Sequence, residues 1–387
     1  MGKEYIVDGD PRPESPPQAD ASNPITPAPG PTEIAQVGFW VAERSEDVVA
    51  RCIQITGVEA TPEGAVFVGS PGPEAGTLFE EASRELRTRG LDARLLERGD
   101  GRVELTVSSH RPEPSVAGLP GLSALLLLAT LGTTVWAGAT YHGMEPGGQA
   151  SQWLAGLPYA LALLTILGIH EMGHYLMARR RGVPVSLPYF IPAPGFLGTF
   201  GAFIRMGGPI RTRAEYFDVA VAGPLAGLIV ALLAVYTGVA LGSPSFGHGM
   251  APNSSALFYG VYLLAGGEPT AAQVALGPVG FAGWLGLVVT ALNLAPVGQL
   301  DGGHIAYAVL GRRRAAGLSA AVFGLLIAGG LLYSPHWLMW ALIVWVISGA
   351  GHPPARNELL PVGNGRIAVA ALAFVLLLAI VLPWPVA

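Results

Sequence analysis

The sequence predicts a polytopic α-helical membrane protein, with about six to seven transmembrane helices and a re-entrant hairpin, preceded by a small α+β soluble domain. Three observations carry this prediction. First, 51% of the 387 residues are hydrophobic, only 13% are charged and the mean hydropathy is +0.47, whereas soluble chains carry about 25% charged residues. Second, apolar windows recur at 121–141, 155–178, 217–241, 275–296, 315–334, 337–351 and 366–385. Most reach the roughly 20 residues that a helix needs to cross a hydrocarbon layer about 30 Å thick. Third, the basic residues after position 112 are Arg179, Arg180, Arg181, Arg205, Arg211, Arg213, Arg312, Arg313, Arg314, Arg356 and Arg366. If all seven windows span, each of these arginines falls on the side of the N-terminal domain. The opposite loops, near 142–154, 242–274 and 335–336, hold no Lys or Arg. The positive-inside rule then puts the N-terminus in the cytoplasm.

Residues 1–36 contain eight prolines in a polar background. Such a segment cannot bury enough apolar surface to offset its ordering entropy, and a disordered Pro-rich leader is predicted. It has neither a signal peptide's basic and apolar pattern nor the Ser- and Arg-rich composition of a transit peptide, so a prokaryotic cell membrane is the expected location. Residues 37–112 form the predicted soluble domain. EDVVARCIQ and PEAGTLFEEASRELRTRG have helical apolar spacing, the latter closing at Gly90. GAVFVG reads as a strand, and DARLLER and RVELTVS as a hairpin turned by Gly99-Asp100-Gly101. No metal, phosphate or nucleophile motif occurs there. Residues 118–387 make up the membrane domain. Its sixth window, 337–351, is short for a span, and ALFYGVYLLA at 256–265 is too short to cross. The net charge of −5 leaves no basic footprint for nucleic acid. A single cysteine, Cys52, excludes an internal disulfide framework.

The chemistry concentrates at the end of the second window, in His170-Glu171-Met172-Gly173-His174. Residues four apart share a helix face, so both imidazoles can hold one zinc ion. Glu171 is rotated by about 100° from His170, which suits a proton acceptor for a zinc-activated water. The plainer alternative is two buried histidines that satisfy packing hydrogen bonds. Ionisable groups are costly in a bilayer, however, and are retained there for function. A catalytic zinc needs three protein ligands and one open position. Asp301, in ALNLAPVGQLDGGH, supplies the third at the same cytoplasmic end of the fourth window. Pro296 interrupts that window, and Gly302-Gly303 is expected to loosen the chain after the aspartate.

H-E-x-x-H in one span, followed by Asn293, Pro296, Leu300, Asp301 and Gly302 in a later one, resembles the site-2 protease family of intramembrane zinc metalloproteases. The resemblance covers about 118–305, the expected catalytic core. It implies one Zn2+ per chain held by His170, His174 and Asp301, with Glu171 as general base. It also implies hydrolysis of peptide bonds within or beside the transmembrane segments of membrane protein substrates. Asn293 is implied to line the site and to hold substrate backbone or a developing oxyanion.

Further stretches fit this resemblance. PYFIPAPGFLGTFGAFIRM, 188–206, is too apolar for an ordinary loop and too rich in Pro and Gly for a helix. Its Gly198-Thr199-Phe200-Gly201 reads as a re-entrant hairpin like the family's glycine-containing membrane loop. Gly198 and Gly201 then mark an edge that could bind an unwound substrate by strand addition. An amphipathic interfacial loop is the alternative. Gly223 and Gly227, in G-x-x-x-G spacing, are assigned to helix packing. His304 is a candidate donor behind the metal ligands. The outer loop at 242–274 is too short for the PDZ domain of some bacterial relatives. With no domain expected after the last span, the order resembles the plastid, cyanobacterial and archaeal branch.

Two other readings compete with a protease. A proteolytically inactive scaffold of the same fold would bind transmembrane clients, but retention of Glu171 speaks against it. A protease trimming prenylated C-termini would use a distant glutamate ligand in place of the L-D-G aspartate.

Overall fold

A computed structural model describes residues 31–110, 118–141, 143, 150–195, 197–208, 210–242, 251–348 and 354–384. The first 30 residues of the expected leader lie outside the described residues. The chain divides into two compact units. One comprises Met1–Pro112 with Arg356–Leu360, the other Glu113–Ala355 with Pro361–Ala387.

The first unit holds α1 (Pro31–Val49), β1 (Ile53–Thr61), β2 (Gly64–Pro71), α2 (Ala75–Thr88), β3 (Leu91–Glu97) and β4 (Val103–Ser109). Its antiparallel sheet runs β1-β2-β4-β3. Alternate residues of each strand face the helices, so Phe67, Leu91, Leu95 and Leu105 are buried together with Phe79 and Leu86 of α2. Two expectations change here. Helix α1 begins at Pro31, inside the expected leader; proline is well suited to a first helical position, where its missing N–H has no partner to lose. The apolar spacing of EDVVARCIQ ends as helix at Val49, and Ile53 opens β1. Pairing with β2, through a bulge between Ile55 and Gly57, overrides the helical spacing there.

The second unit contains α3 (Pro120–Tyr141), α4 (Ala150–Trp153), α5 (Leu157–Arg180), β5 (Tyr189–Ala193), β6 (Gly198–Phe203) and α6 (Arg213–Ala240). It continues with α7 (Ala256–Leu264), α8 (Pro278–Leu294), α9 (Asp301–Leu310), α10 (Arg312–Leu332), α11 (His336–Ser348) and α12 (Asn364–Val381). Five helices are long and apolar enough to cross a membrane: α3, α5 with the turn before it, α6, α10 and α12. The chain is an integral membrane protein. Helices α8 and α11, at 17 and 13 residues, fall short of that length.

Helices α5, α6 and α8 form the centre of this unit. Lipid gives no hydrophobic drive for helix association, so close approach depends on small residues. A β-carbon on Gly173 would lie 2.5 Å from the Ala222 carbonyl oxygen, and one on Gly238 would lie 2.3 Å from the Gly280 Cα. At the arginine-bearing end, Asp218 of α6 accepts from Arg366 of α12 at 2.7 and 2.9 Å, and also from Arg181 just past α5.

Candidate metal centre

Helix α5 carries His170, Glu171 and His174, all buried, and the two histidines face α6. The His174 Nδ1 lies 2.8 Å from the Val219 carbonyl oxygen. An N–H at Nδ1 donates to that carbonyl, which fixes the tautomer and leaves the Nε2 lone pair facing inward. His170 Nε2 is 3.2 Å from His174 Nε2. The imidazoles are seated by the G-x-x-x-G face of α6. A β-carbon on Gly223 would lie 2.1 Å from His174 Nε2, and one on Gly227 would lie 3.0 Å from the His170 Cβ and 3.1 Å from its Nδ1. The packing assignment of these glycines therefore extends further: what they pack against is the two histidine rings.

Asp301 reaches the same point from the other side. Helix α8 stops at Leu294, and residues 295–300 run irregularly to α9, whose first residue is Asp301. The irregular segment is held at both ends: Ser319 Oγ donates to the Pro296 carbonyl at 3.0 Å, and the Gln299 N–H to the Ser348 carbonyl at 2.8 Å. Gly302 and Gly303 do not loosen the chain. They form the first turn of α9, and β-carbons there would meet the Leu294 and Gly298 carbonyl oxygens at 1.9 and 2.2 Å. Their role is close backbone approach. The position at a helix N-terminus also favours the ionised form of the Asp301 carboxylate.

The result is a convergent donor set. Asp301 Oδ2 lies 3.4 Å from His170 Nε2 and 3.2 Å from His174 Nε2. Ligands at about 2.0–2.1 Å in a tetrahedron are separated by about 3.3–3.4 Å along its edges. The three observed separations match that triangle. Among the described residues, this is the group of His, Cys, Asp or Glu side chains arranged to hold a metal ion. Two imidazoles and one carboxylate suit zinc and leave room for a fourth ligand.

Other expected site residues are placed as follows. Asn293 Nδ2 is 3.2 Å from His170 Nε2, at the edge of the donor set. The backbone of Ile204, the residue after β6, lies close to the Glu171 carboxyl group. The hairpin thus meets the site through Ile204, which motif reading did not single out. Gly198, with φ +82°, lies against α3, where Thr133 Oγ1 donates to its carbonyl at 2.6 Å. Gly201 has φ +102° and open space around it. Neither glycine is brought to the donor triangle. The His304 ring sits against Tyr216, with centroids 5.5 Å apart.

Residues 158–333, which carry all three donors, match the model of peptidase family M50. This stretch is similar to peptidase family M50. It runs from the start of α5 through α10. The chain is 32% identical over 242 residues to "Probable zinc metalloprotease EGY2, chloroplastic" of Arabidopsis thaliana, covering 60% of this chain and 42% of that protein. It is 35% identical over 241 residues to "Probable zinc metalloprotease EGY1, chloroplastic" of the same plant, covering 59% and 43%. With the Oryza sativa subsp. japonica protein named "Probable zinc metalloprotease EGY3, chloroplastic" it shares 32% identity over 267 residues, 64% and 45% of the two chains. The chain spans about two-fifths of the length of these curated relatives. No solved structure matches the chain.

Proposed function

We propose that this protein is an intramembrane zinc metalloendopeptidase that cleaves peptide bonds within or next to transmembrane segments of membrane proteins. The observation that carries the reading is the triangle of His170 Nε2, His174 Nε2 and Asp301 Oδ2 at tetrahedral-edge separations. The M50 match and the relatives' names support it.

In this reading His170, His174 and Asp301 hold one zinc ion. When bound, zinc makes water acidic near neutral pH and polarises a carbonyl. Glu171, adjacent to His170 but turned away from it, takes the proton and returns it to the leaving amine. The carboxamide of Asn293 donates to the developing oxyanion. An unwound substrate segment pairs with β6, whose strand partner among the described residues is β5 alone. The Ile204 contact brings the end of that strand beside the base. The hairpin is re-entrant, α8 and α11 complete about seven spans, and the arginine-rich loops face the cytoplasm, as does the zinc site.

The test compares the wild type with Glu171→Gln on a single-pass model substrate in detergent or proteoliposomes. Cleavage lost with zinc retained is expected, and equal cleavage would remove Glu171 as the base. Loss of cleavage on chelation, restored by Zn2+, is expected as well. Zinc content undiminished in Asp301→Ala would refute the third ligand. Zinc binding without cleavage of any transmembrane substrate would instead favour a scaffold.

A further inference from the structure

The sheet of the first unit has one edge that receives a strand from far away in the chain. β3 bonds to β4 on one side only. On its other side Leu95 makes a parallel bridge with Asn357. The Leu95 N–H donates to the Arg356 carbonyl at 2.7 Å, and the Glu358 N–H donates to the Leu95 carbonyl at 3.0 Å. Two residues on, where outward-facing groups recur along a strand, the Glu97 N–H donates to the Glu358 carboxylate at 3.1 Å.

Side-chain contacts give this edge a sequence preference. Asn357 is fully buried, and its amide donates both to the Gly76 carbonyl at 2.9 Å and to Glu80 Oε1 at 2.8 Å. Its carbonyl accepts from the Leu359 N–H at 3.2 Å. An aliphatic residue there would strand the buried Gly76 carbonyl and the half-buried Glu80 carboxylate, so the pocket discriminates by unmet hydrogen bonds. Arg356 pairs with Asp92 at 3.7 Å. Leu359 packs on the sheet's apolar core, and Leu360 passes over Gly76, where a β-carbon would come within 3.3 Å of it. Main-chain bonds to a sheet edge together with side-chain pockets are how strand-adding receptors read a peptide.

We propose that the groove between α2 and the β3 edge is a peptide-binding site specific for an extended Arg-Asn-Glu-Leu-Leu segment. Residues 356–360 are its resident ligand, and a separate peptide of the same sequence exchanges into it. The ligand is covalently part of the chain, so it competes at a high effective concentration and masks the site from weaker outside peptides. The inference does not depend on proteolysis.

The test uses the full-length protein in detergent, with Glu358→Pro to remove the donor to Leu95 and the acceptor for Glu97. Hydrogen exchange at the Leu95 and Glu97 amides should speed up at least about tenfold, while Phe67 and Leu105 in the β2–β4 pair stay protected. A fluorescent peptide spanning residues 354–362 should bind this variant saturably, and the unmodified chain at least about tenfold more weakly. The same peptide with Asn357→Ala should fail to bind. No binding to the deprotected variant, or equal binding by the alanine peptide, overturns the site. Unchanged exchange at Leu95 and Glu97 in both Glu358→Pro and Asn357→Ala chains overturns it too. Loss of protection across Phe67 and Leu105 would make the segment a fixed strand of the sheet and also overturn it.

Discussion

Gly223 lies directly beneath the His174 imidazole: a β-carbon on this glycine would lie 2.1 Å from Nε2 and 2.4 Å from Cδ2. Contacts that short are not accommodated by small shifts, because α6 meets α5 through backbone at Gly173. We expect Gly223→Ala to expel the ring and lower bound zinc by at least about tenfold, the scale seen when groups orienting a ligand are lost. In Gly227→Ala the nearest atoms of His170 would stand at 3.0 and 3.1 Å, so zinc should largely be kept. Metal analysis of the two purified variants checks the order, and full zinc in Gly223→Ala would refute it.

Asn293 touches the donor set without offering a metal-binding carboxylate or imidazole. Its amide stands 3.2 Å from His170 Nε2. We expect Asn293→Ala to retain zinc and lose about 10²–10³-fold in cleavage rate, the usual effect of removing one oxyanion donor. An unchanged rate on the single-pass substrate would take Asn293 out of the reaction.

Asp218 joins three elements through Arg181 and Arg366, and its side chain is largely buried. Asp218→Asn would keep the shape but leave two guanidinium groups without their counter-charge. We expect a loss of about 1.5–3 kcal/mol, the worth of a hydrogen bond to a charged group, read as a lower midpoint of thermal unfolding in detergent. Arg366→Ala should cost less, since Arg181 remains. A midpoint unchanged in Asp218→Asn would show that the cluster contributes nothing to the docking of α12.

Burial pushes the Cys52 thiol up to about 11. The folded state therefore holds this proton more tightly than the unfolded chain does, where a thiol titrates near about 8.5. Its stability contribution is complete below about 8.5 and declines as pH rises towards 11. At pH 8 only about 0.1% of the folded thiol would be ionised. We expect iodoacetamide to leave Cys52 unmodified at that pH until denaturant is added. Rapid labelling of the native protein would contradict the burial.

The donor residues could be read from the sequence because each sits on a pattern that local geometry enforces. His170 and His174 share a helix face by spacing alone, and Asp301 follows a proline that must end its helix. The first unit was partly legible for the same reason: β2, α2 and the β3–β4 hairpin follow alternation and turn residues. β1 was not, because Val48, Val49, Cys52 and Ile53 keep helical spacing across a helix–strand junction that pairing with β2 decides. The strand partnership of Asn357 with Leu95 joins residues that no local pattern links. The close approach of Gly198 to α3 likewise depends on the arrangement of the elements around it.

The interlocking of His170 and His174 on α5 with Gly227 and Gly223 on α6 makes helix contact and metal cradle a single square of four residues. Drift that enlarges the side chain at Gly223 evicts the His174 imidazole, so helix contact and metal cradle are lost together there. Competence to hold the metal can then be judged in any relative without reference to the glutamate. A chain that keeps H-E-x-x-H but carries a bulky residue opposite the second histidine is marked as a pseudoenzyme by its own steric record.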